Sequence, residues 1–194
     1  MIIGITGGTG CGKTTLLRLI AEAGGLILDC DRIYHDLLKS DPSLLGAIEA
    51  RFPGTVVDGQ LDRKKLGALV FADEAALLDL NRITHGAVKQ EVLRQLEEKP
   101  ALAAIDAIGL FEGQLSELCQ VTVAVTAPRE ERIRRLMARD GIPESYAIQR
   151  IDAQHSDAWF RKKCQFSLEN DGTQGQFRDK CLAFLRQVGI MKEN

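Results

Sequence analysis

The sequence has 194 residues, which suits one domain with small additions, and its content of 45% hydrophobic and 27% charged residues is that of an ordinary globular protein. A formal net charge of -2 gives no overall attraction to nucleic acid or to an anionic membrane surface. These values exclude disordered and fibrous classes, and they require any basic site to be local.

The cysteines and the amino-terminal sequence bear on the cellular compartment. The five cysteines are widely spaced, without a CxxC pair or a histidine at metal-ligand spacing, and are predicted to be reduced thiols. The chain begins with a strand-like run instead of a signal peptide, and no apolar run approaches the ~20 residues that a membrane-spanning helix needs. We therefore expect a cytoplasmic location and no membrane partner.

Short apolar runs alternate with longer amphipathic segments along the chain. This is the pattern of strands and crossover helices in a parallel sheet that is covered on both faces, so the predicted fold class is α/β. The predicted strands are residues 1–6, 26–29, 102–105, 121–127 and 166–168.

A glycine-rich loop follows the first strand. Residues 7–14 read GGTGCGKT, which fits the P-loop pattern GxxxxGKS/T, and a helix is predicted from Lys13 to the Gly24-Gly25 pair. In such a loop backbone N–H groups surround phosphates, the lysine reaches the β and γ phosphates, and the Thr14 hydroxyl binds magnesium. A loop that merely joins strand to helix is the alternative. The preceding strand, the glycine-rich loop, the lysine, the hydroxyl and the following helix all favour a site for ATP with Mg²⁺. The predicted nucleotide contacts are Gly8, Thr9, Gly10, Cys11, Gly12, Lys13, Thr14 and Thr15.

Two aspartates, Asp29 and Asp31, close the second predicted strand. In an open α/β sheet the carboxyl ends of strands border the ligand crevice, and the period of two sends both side chains to the same side. We predict that Asp31 accepts a proton from an attacking hydroxyl, and capping of the next helix is the alternative for it. For Asp29, a role at the site and a role in capping the next helix both remain open.

The segment between the second and third strands is much longer than a simple crossover and has helical periodicity. It is interpreted as a helical insertion, residues 32–99, that holds a substrate. His85 lies on it and, taken alone, fits a surface or capping residue.

Two acidic residues follow the third strand. Asp106 occupies the position where a carboxylate often organises magnesium, so it is a second candidate ligand after Thr14. Glu112 also fits a solvated loop acid.

A second helical segment, residues 128–163, begins with proline at a helix entrance and is rich in arginine. It is interpreted as a lid. Arginines can neutralise the charge that spreads over a transferring phosphoryl group, and we predict this role for Arg139, with Arg135 behind it. The other arginines of the segment are interpreted as surface charge, and few aromatic residues accompany them, so no nucleic-acid partner is predicted.

Together these segments resemble dephospho-CoA kinases over nearly the whole chain. The P-loop is shared by many NTPases, whereas the DG-x-LDR segment with the downstream histidine and LFE is far more specific. The segments that carry the resemblance are TGGTGCGKTT (6–15), DCD (29–31), DGQLDRKKL (58–66), VF (70–71), ITH (83–85), LFE (110–112), RLMARDG (135–141), RIDAQ (150–154) and ENDG (169–172).

The resemblance implies a three-layer P-loop kinase fold with a five-stranded parallel sheet, and ATP-dependent phosphorylation of the ribose 3′-hydroxyl of dephospho-CoA to give coenzyme A. It further implies that Asp31 is the general base, that Arg139 and Lys13 act on ATP, and that Asn170 lies by the adenine. The residues implied along the acceptor site are Asp29, Arg63, His85, Leu110 and Glu112.

The chain departs from the family pattern at three places. His85-Gly86 replaces the usual His-Pro, Ala107-Ile108-Gly109 replaces the proline-containing stretch before LFE, and Cys164-Gln165 replaces an Ala-Asp pair. The departures leave the phosphate-binding residues intact and concern the acceptor pocket.

The expected organisation is one domain, with a core of about residues 1–31, 100–127 and 164–194 around the insertion and the lid. We expect a monomer or a weak homo-oligomer. A P-loop kinase for another small hydroxyl substrate, such as a nucleoside or a sugar acid, and a non-catalytic ATP-binding regulatory protein remain as alternatives. A GTPase is disfavoured because the chain has no NKxD segment.

Overall fold

A computed structural model describes residues 1–191. Within this range the strands are β1 (Ile2–Thr6), β2 (Leu26–Asp29), β3 (Val56–Val57), β4 (Gln60–Leu61), β5 (Ala103–Asp106), β6 (Val121–Thr126) and β7 (Phe166–Glu169). The α-helices are α1 (Lys13–Glu22), α2 (Cys30–Ser40), α3 (Pro42–Arg51), α4 (Arg63–Phe71), α5 (Glu74–Leu96), α6 (Arg129–Asp140), α7 (Glu144–Asp152), α8 (Asp157–Lys163) and α9 (Gln174–Gln187). The last three residues of the predicted core segment lie outside the described residues.

The chain divides into two compact units. The sheet unit comprises Met1–Leu28, Pro100–Phe111 and the described chain from Leu115 onward. The helical unit comprises Asp29–Lys99 and Glu112–Gln114.

The sheet has five parallel strands in the order β2-β5-β1-β6-β7. Its strands lie within one residue of the predicted bounds, so the predicted α/β class is confirmed. β1 is central and pairs in parallel with both β5 and β6, for example through Ile3 with Ala104 and Ile3 with Val121. Consecutive residues of β1 are buried, as expected of a strand covered on both faces.

The two faces of β1 are covered by different parts of the sheet unit. Ile3 and Ile5 pack with residues of α1 and α9 in the main hydrophobic core. Gly4 points the other way, where an added Cβ would lie 2.8 Å from both Leu110 and Cys119. Burial of this apolar surface accounts for the largest part of the stability of the unit.

The helical unit has its own core between α2, α3, α4 and the 23-residue helix α5. Each of the four helices begins with an aspartate that accepts a hydrogen bond from a backbone N–H of the first turn, a favourable N-cap. These caps are Asp29, Asp41, Asp62 and Asp73.

The helical unit also contains an antiparallel hairpin, β3–β4, which the helical interpretation of residues 32–99 did not include. Asp58 and Gly59 connect its strands, with φ values of 50° and 73°. Two central residues with positive φ define a hairpin turn that matches the twist of the strands, and the sequence signal was this Asp-Gly pair.

The segment from residue 128 to residue 163 is helical, as predicted, and belongs to the sheet unit. α6 follows Pro128 and ends at Gly141, whose left-handed φ of 65° stops the helix. α6 and α7 share a small core of Leu136, Ala147 and Ile151. No helix within residues 1–191 has the length and apolarity to cross a bilayer.

Candidate active site

The phosphate loop connects β1 to α1 and needs glycine at particular positions. Gly7 has a φ of 134°, and a Cβ there would lie 2.0 Å from the carbonyl oxygen of Val125 on β6. At Gly8 a Cβ would lie 2.1 Å from the Arg132 guanidinium. The loop can therefore lie close to both neighbours only because these side chains are missing.

α1 begins directly after the loop. Its N-cap residue, Gly12, provides no side-chain hydrogen bond to the first turn of the helix. The Thr15 N–H donates to the Gly12 carbonyl oxygen at 3.1 Å. The start of a helix carries partial positive charge from its backbone N–H groups, so this helix start is suited to an anion.

Lys13 lies at the start of α1. Its Nζ donates to the Gly7 carbonyl oxygen at 3.1 Å and lies 3.8 Å from Asp106 Oδ1. Asp106 ends β5, which pairs with β1, and the sheet thus holds the two charges at the same edge. The Lys13 ammonium thus lies against the phosphate loop.

Oxygen atoms suitable for magnesium are present in this part of the sheet unit. Thr14, in the first turn of α1, is exposed, and Asp106 supplies a carboxylate. Hard oxygen ligands suit Mg²⁺, which usually keeps several waters and binds proteins through one or two side chains together with substrate phosphates. Among residues 1–191 no group of three or more His, Cys, Asp or Glu forms a metal site by itself. The donor set therefore fits a magnesium ion that is shared with a nucleotide.

Arg132 was interpreted as surface charge, and that interpretation is wrong. Its side chain is 5% exposed, its Nε donates to the Thr9 carbonyl oxygen at 2.9 Å, and its Nη1 donates to Asp157 at 3.1 Å. Gln154 accepts from Arg132 Nη2 at 3.2 Å and from the Thr9 N–H at 2.8 Å. Arg132, Gln154 and Asp157 thus hold the phosphate loop from outside, and we call them the Arg132 clamp.

A sequence signal for the Arg132 clamp was present but was not used. Arg132 precedes Leu136 by four residues on α6, and residues at this spacing share a helix face. Since Leu136 belongs to the buried stripe, Arg132 had to be buried with it. A buried guanidinium needs hydrogen-bond partners, which the loop and the start of α8 supply.

The two arginines predicted to act on ATP differ in their surroundings. Arg135 donates to the Gly10 carbonyl oxygen at 3.3 Å, so it contacts the phosphate loop. Arg139 is turned to its neighbour Asp140, to which it donates two hydrogen bonds of 2.7 and 3.0 Å. Arg150 also donates to Asp140, and the two guanidinium groups, Arg139 first, lower the pKa of Asp140 to about 2.

Asn170 and Cys11 meet behind the loop. The buried Asn170 side chain donates through Nδ2 to the Cys11 carbonyl oxygen at 2.9 Å, while its backbone N–H donates to Thr126. The Cys11 thiol is 1% exposed, and burial raises its pKa, so it stays protonated at neutral pH. Thr15 is half-buried on α1.

In the helical unit the two aspartates near the start of α2 have different roles. Asp29 caps the helix by accepting from the Arg32 N–H at 3.0 Å, so the capping role is now established for it. Asp31 lies in the first turn, is exposed, and makes no side-chain hydrogen bond or ion pair within the described chain. The Asp31 side chain is therefore accessible from solvent.

The remaining candidates for the acceptor site belong to different units of the chain. Arg63 begins α4, with Nη2 at 3.3 Å from His35 Nδ1. His85 and Glu112 line one cavity of about 520 Å³ in the helical unit. Leu110, in the sheet unit, is fully buried against Gly4. The structure gives Leu110 a packing role, which the expectation of a substrate contact did not include.

Comparisons with known proteins agree over almost the full length. Residues 1–176 match the family model for dephospho-CoA kinase. Two curated dephospho-CoA kinases, from Latilactobacillus sakei and Carboxydothermus hydrogenoformans, are each 34% identical to this chain. The match covers 96% of this chain in both cases, with 95% of the first relative and 93% of the second. The crystal structure of TT1252 from Thermus thermophilus superposes with a TM-score of 0.83 at 32% identity, and 97% of each chain is covered.

Proposed function

This chain belongs to the dephospho-CoA kinase family, and we propose that it uses ATP to phosphorylate the ribose 3′-hydroxyl of dephospho-CoA, with Asp31 as general base. The observation that carries the proposal is the family match over residues 1–176. The products are coenzyme A and ADP.

On the donor side the proposal assigns the triphosphate to the phosphate loop. Backbone N–H groups of the phosphate loop and of the start of α1 bind the β and γ phosphates together with the Lys13 ammonium, where negative charge increases during transfer. The N–H groups of Thr9, Cys11 and Thr15 instead donate to Gln154, Gly8 and Gly12. Thr14 and Asp106 would hold Mg²⁺, which when bound supplies neutralising charge and orients the phosphates. Arg135 adds a second positive charge, supported by its contact with Gly10. For Arg139 to act on ATP, it must first leave Asp140.

On the acceptor side Asp31 accepts the proton of the 3′-hydroxyl while that oxygen attacks the γ-phosphorus. The bond from phosphorus to the β–γ bridging oxygen breaks, and its electron pair leaves with ADP. The support for Asp31 over Asp29 is that Asp29 already caps α2, whereas Asp31 has no internal partner in the described chain. His85, Glu112 and Arg63 would bind the rest of the acceptor.

The proposal extends to organisation. We assign the acceptor to the helical insertion and the role of a lid to residues 128–163, since excluding water prevents wasteful hydrolysis of ATP. Binding of a non-hydrolysable ATP analogue and dephospho-CoA should slow hydrogen exchange in residues 128–163. Unchanged hydrogen exchange in residues 128–163 would contradict the assignment of this segment as a lid.

A monomer or weak homo-oligomer in the cytoplasm completes the proposal, and the five free cysteines fit that compartment.

A kinase assay tests the proposed function. Purified protein with ATP and Mg²⁺ is incubated separately with dephospho-CoA, a nucleoside and a sugar acid, and the products are identified by mass spectrometry. We expect coenzyme A from dephospho-CoA and no product of comparable rate from the other two. Turnover of only a nucleoside or a sugar acid would contradict dephospho-CoA as the acceptor and would support a P-loop kinase for that substrate. ATP binding without any transfer would support a regulatory protein instead.

A further inference from the structure

A carboxylate on α3 binds the loop that leads into the β3–β4 hairpin. Glu49 accepts from the Gly54 N–H through Oε1 and from the Val56 N–H through Oε2, the latter at 2.8 Å. These N–H groups, Gly54 first, lower the pKa of the Glu49 carboxyl, which is therefore ionised at neutral pH. Hydrogen bonds to an ionised acceptor are stronger than those between neutral groups. We call residues 54–56 the Glu49 loop.

The Glu49 loop is bonded in turn to the segment that follows the hairpin. Thr55, at the centre of the loop, is fully buried, and its hydroxyl donates to the Phe52 carbonyl oxygen at 2.7 Å. Its own carbonyl oxygen accepts from the Asp62 N–H, also at 2.7 Å. The position of Asp62 therefore depends on a loop that Glu49 holds.

Asp62 determines where α4 begins. Its side chain caps the helix by accepting from the Lys65 N–H at 3.0 Å, and Arg63 is the first residue of the helix. The Arg63 side chain is exposed, with Nη2 at 3.3 Å from His35 Nδ1 on α2. Since few contacts hold this guanidinium directly, its location depends on the backbone at the start of α4.

His35 connects Arg63 to the face of α2 that has the proposed general base. Asp31 and His35 are four residues apart on this helix, and residues at that spacing share a face. Arg63 thus lies against the same face as Asp31, in the unit to which the acceptor is assigned. A displaced Arg63 would affect acceptor binding without changing the phosphate loop.

We propose that Glu49 is a positioning residue, which sets the affinity for the acceptor by holding Arg63 in place through the Glu49 loop and Asp62. The inference rests on the proposed function, because there Arg63 binds the acceptor. Glu49 itself takes no part in phosphoryl transfer. Its contribution is preorganisation, since a binding side chain on a fixed helix start loses less freedom when the ligand arrives.

Glu49→Gln tests this role. The glutamine side chain has one acceptor oxygen and one NH₂ donor, so it cannot accept from both Gly54 and Val56. The matched control is Glu74→Gln on α5, since Glu74 is exposed and makes no side-chain hydrogen bond or ion pair in the part of the chain that the structure describes. Thermal melting verifies that each variant folds. If Glu49→Gln does not fold, Glu49→Asp replaces it, because its side chain is one methylene shorter and keeps the charge.

Steady-state kinetics separates positioning from a purely structural role. We expect Glu49→Gln to raise KM for dephospho-CoA about fivefold, while kcat and KM for ATP stay within about twofold of the wild type. A purely structural carboxylate would instead reduce the fraction of folded enzyme, which lowers kcat and leaves KM unchanged. Glu74→Gln should match the wild type. An unchanged KM for dephospho-CoA in Glu49→Gln would overturn the proposal.

A double-mutant cycle with Arg63→Met tests whether Glu49 acts through Arg63. Arg63→Met should raise KM for dephospho-CoA more than Glu49→Gln does, because it removes the binding group itself. In the Arg63→Met background, Glu49→Gln should raise KM by no more than about a further twofold, since the residue that it positions is already gone. Two rises that multiply in the double variant would show that Glu49 acts independently of Arg63, and would overturn the proposal.

NMR of the His35 ring keeps the inference separate from the kinase assignment. Because Arg63 lies against His35, the ring resonances report the location of the guanidinium in the absence of any substrate. They should shift in Glu49→Gln and in Arg63→Met, but not in Glu74→Gln. Such shifts in a protein that fails to phosphorylate dephospho-CoA would refute the proposed function and leave the positioning of Arg63 by Glu49 standing. Resonances that move in Arg63→Met but not in Glu49→Gln would overturn the positioning role alone.

Discussion

The sheet unit and the helical unit hold their candidate residues in different ways. In the sheet unit, hydrogen bonds reach the phosphate loop from Arg132, Gln154, Arg135 and Asn170, and the loop backbone is fixed by contacts on several sides. In the helical unit, Asp31 and His85 lie on helices, and neither side chain makes a hydrogen bond or ion pair within residues 1–191. On the proposed function, the triphosphate side is preorganised by its own chain, whereas the acceptor side depends on helix faces to which the ligand itself must bind.

The largest effect is expected at an exposed carboxylate of the helical unit, because the proposal makes it the general base. Such an effect would show that the unit with fewer internal contacts contains the residue most important for catalysis. Asp31→Asn should lower kcat by about 10²- to 10⁴-fold, because the amide cannot accept the hydroxyl proton. The Kd for ATP should not change. Stopped-flow or coupled assays give kcat, and isothermal titration calorimetry gives Kd.

Asp29→Asn is the matched control for Asp31. Asparagine caps a helix about as well as aspartate, so α2 should stay intact and kcat should stay near that of the wild type. A kcat for Asp31→Asn within about threefold of the wild type would remove Asp31 from the base role.

The Arg132 clamp offers the next largest effect, and it tests preorganisation in the sheet unit directly. Arg132→Met leaves the Thr9 carbonyl and Asp157 without their partner, so we expect a loss of about 3 kcal/mol in the free energy of unfolding. ATP affinity should fall with it, since Thr9 is no longer held. Urea titration and calorimetry measure the two effects.

Arg134→Met is the control for the clamp. Arg134 is exposed and pairs only with Glu131 of its own helix among residues 1–191, so its removal should cost less than about 1 kcal/mol. Arg132→Lys keeps the charge but lacks the planar fork and should behave like Arg132→Met. A loss below about 1 kcal/mol for both Arg132 variants would show that the loop does not need the clamp.

The fold and the phosphate loop were predictable from the sequence because their signals are local. Strands of four to six residues bounded by glycine or aspartate, and a loop of fixed spacing, are determined by neighbours along the chain. The spacing of Arg132 from Leu136 indicated its burial but not its partner, because Arg132 and Thr9 are 123 residues apart. An arginine on a charged helix usually faces solvent, so that spacing was not used. The β3–β4 hairpin was missed because two residues per strand leave no periodicity to detect.

The acceptor candidates were harder to predict for a physical reason. Asp29 could cap or catalyse, and only the hydrogen bond to Arg32 distinguishes the two. Leu110 has the composition of a pocket residue and of a core residue alike, and its burial depends on a glycine more than a hundred positions away. Such choices depend on tertiary contacts, which no local pattern contains.

Asn170 gives a smaller effect that sharpens the account of the loop. Asn170→Ala leaves the Cys11 carbonyl oxygen without its donor, so we expect a loss of about 1–3 kcal/mol in the free energy of unfolding. If Asn170 acts by supporting the loop, the Kd values for ATP and GTP should rise by the same factor. If it lies by the adenine, as the family resemblance implies, only the ATP value should rise. Calorimetry with both nucleotides separates the two roles.

The smallest expected effect concerns charges at the surface of the sheet unit, where contacts should matter least. The pKa of Asp140 is lowered to about 2 by Arg139 and Arg150, below the value of about 3.9 expected in the unfolded chain. A lowered folded-state pKa means that this stabilisation is present above about pH 4 and is lost as the pH falls toward 2. The difference in stability between the wild type and Asp140→Asn should therefore be constant from neutral pH to about pH 4 and shrink below it. Urea titrations across that range, repeated in high salt to screen the pairs, measure this difference.

A difference that stays constant down to the lowest pH at which the protein folds would show that the two arginines do not stabilise the Asp140 carboxylate. The end of α6 would then be held by its Gly141 cap and by the core around Leu136.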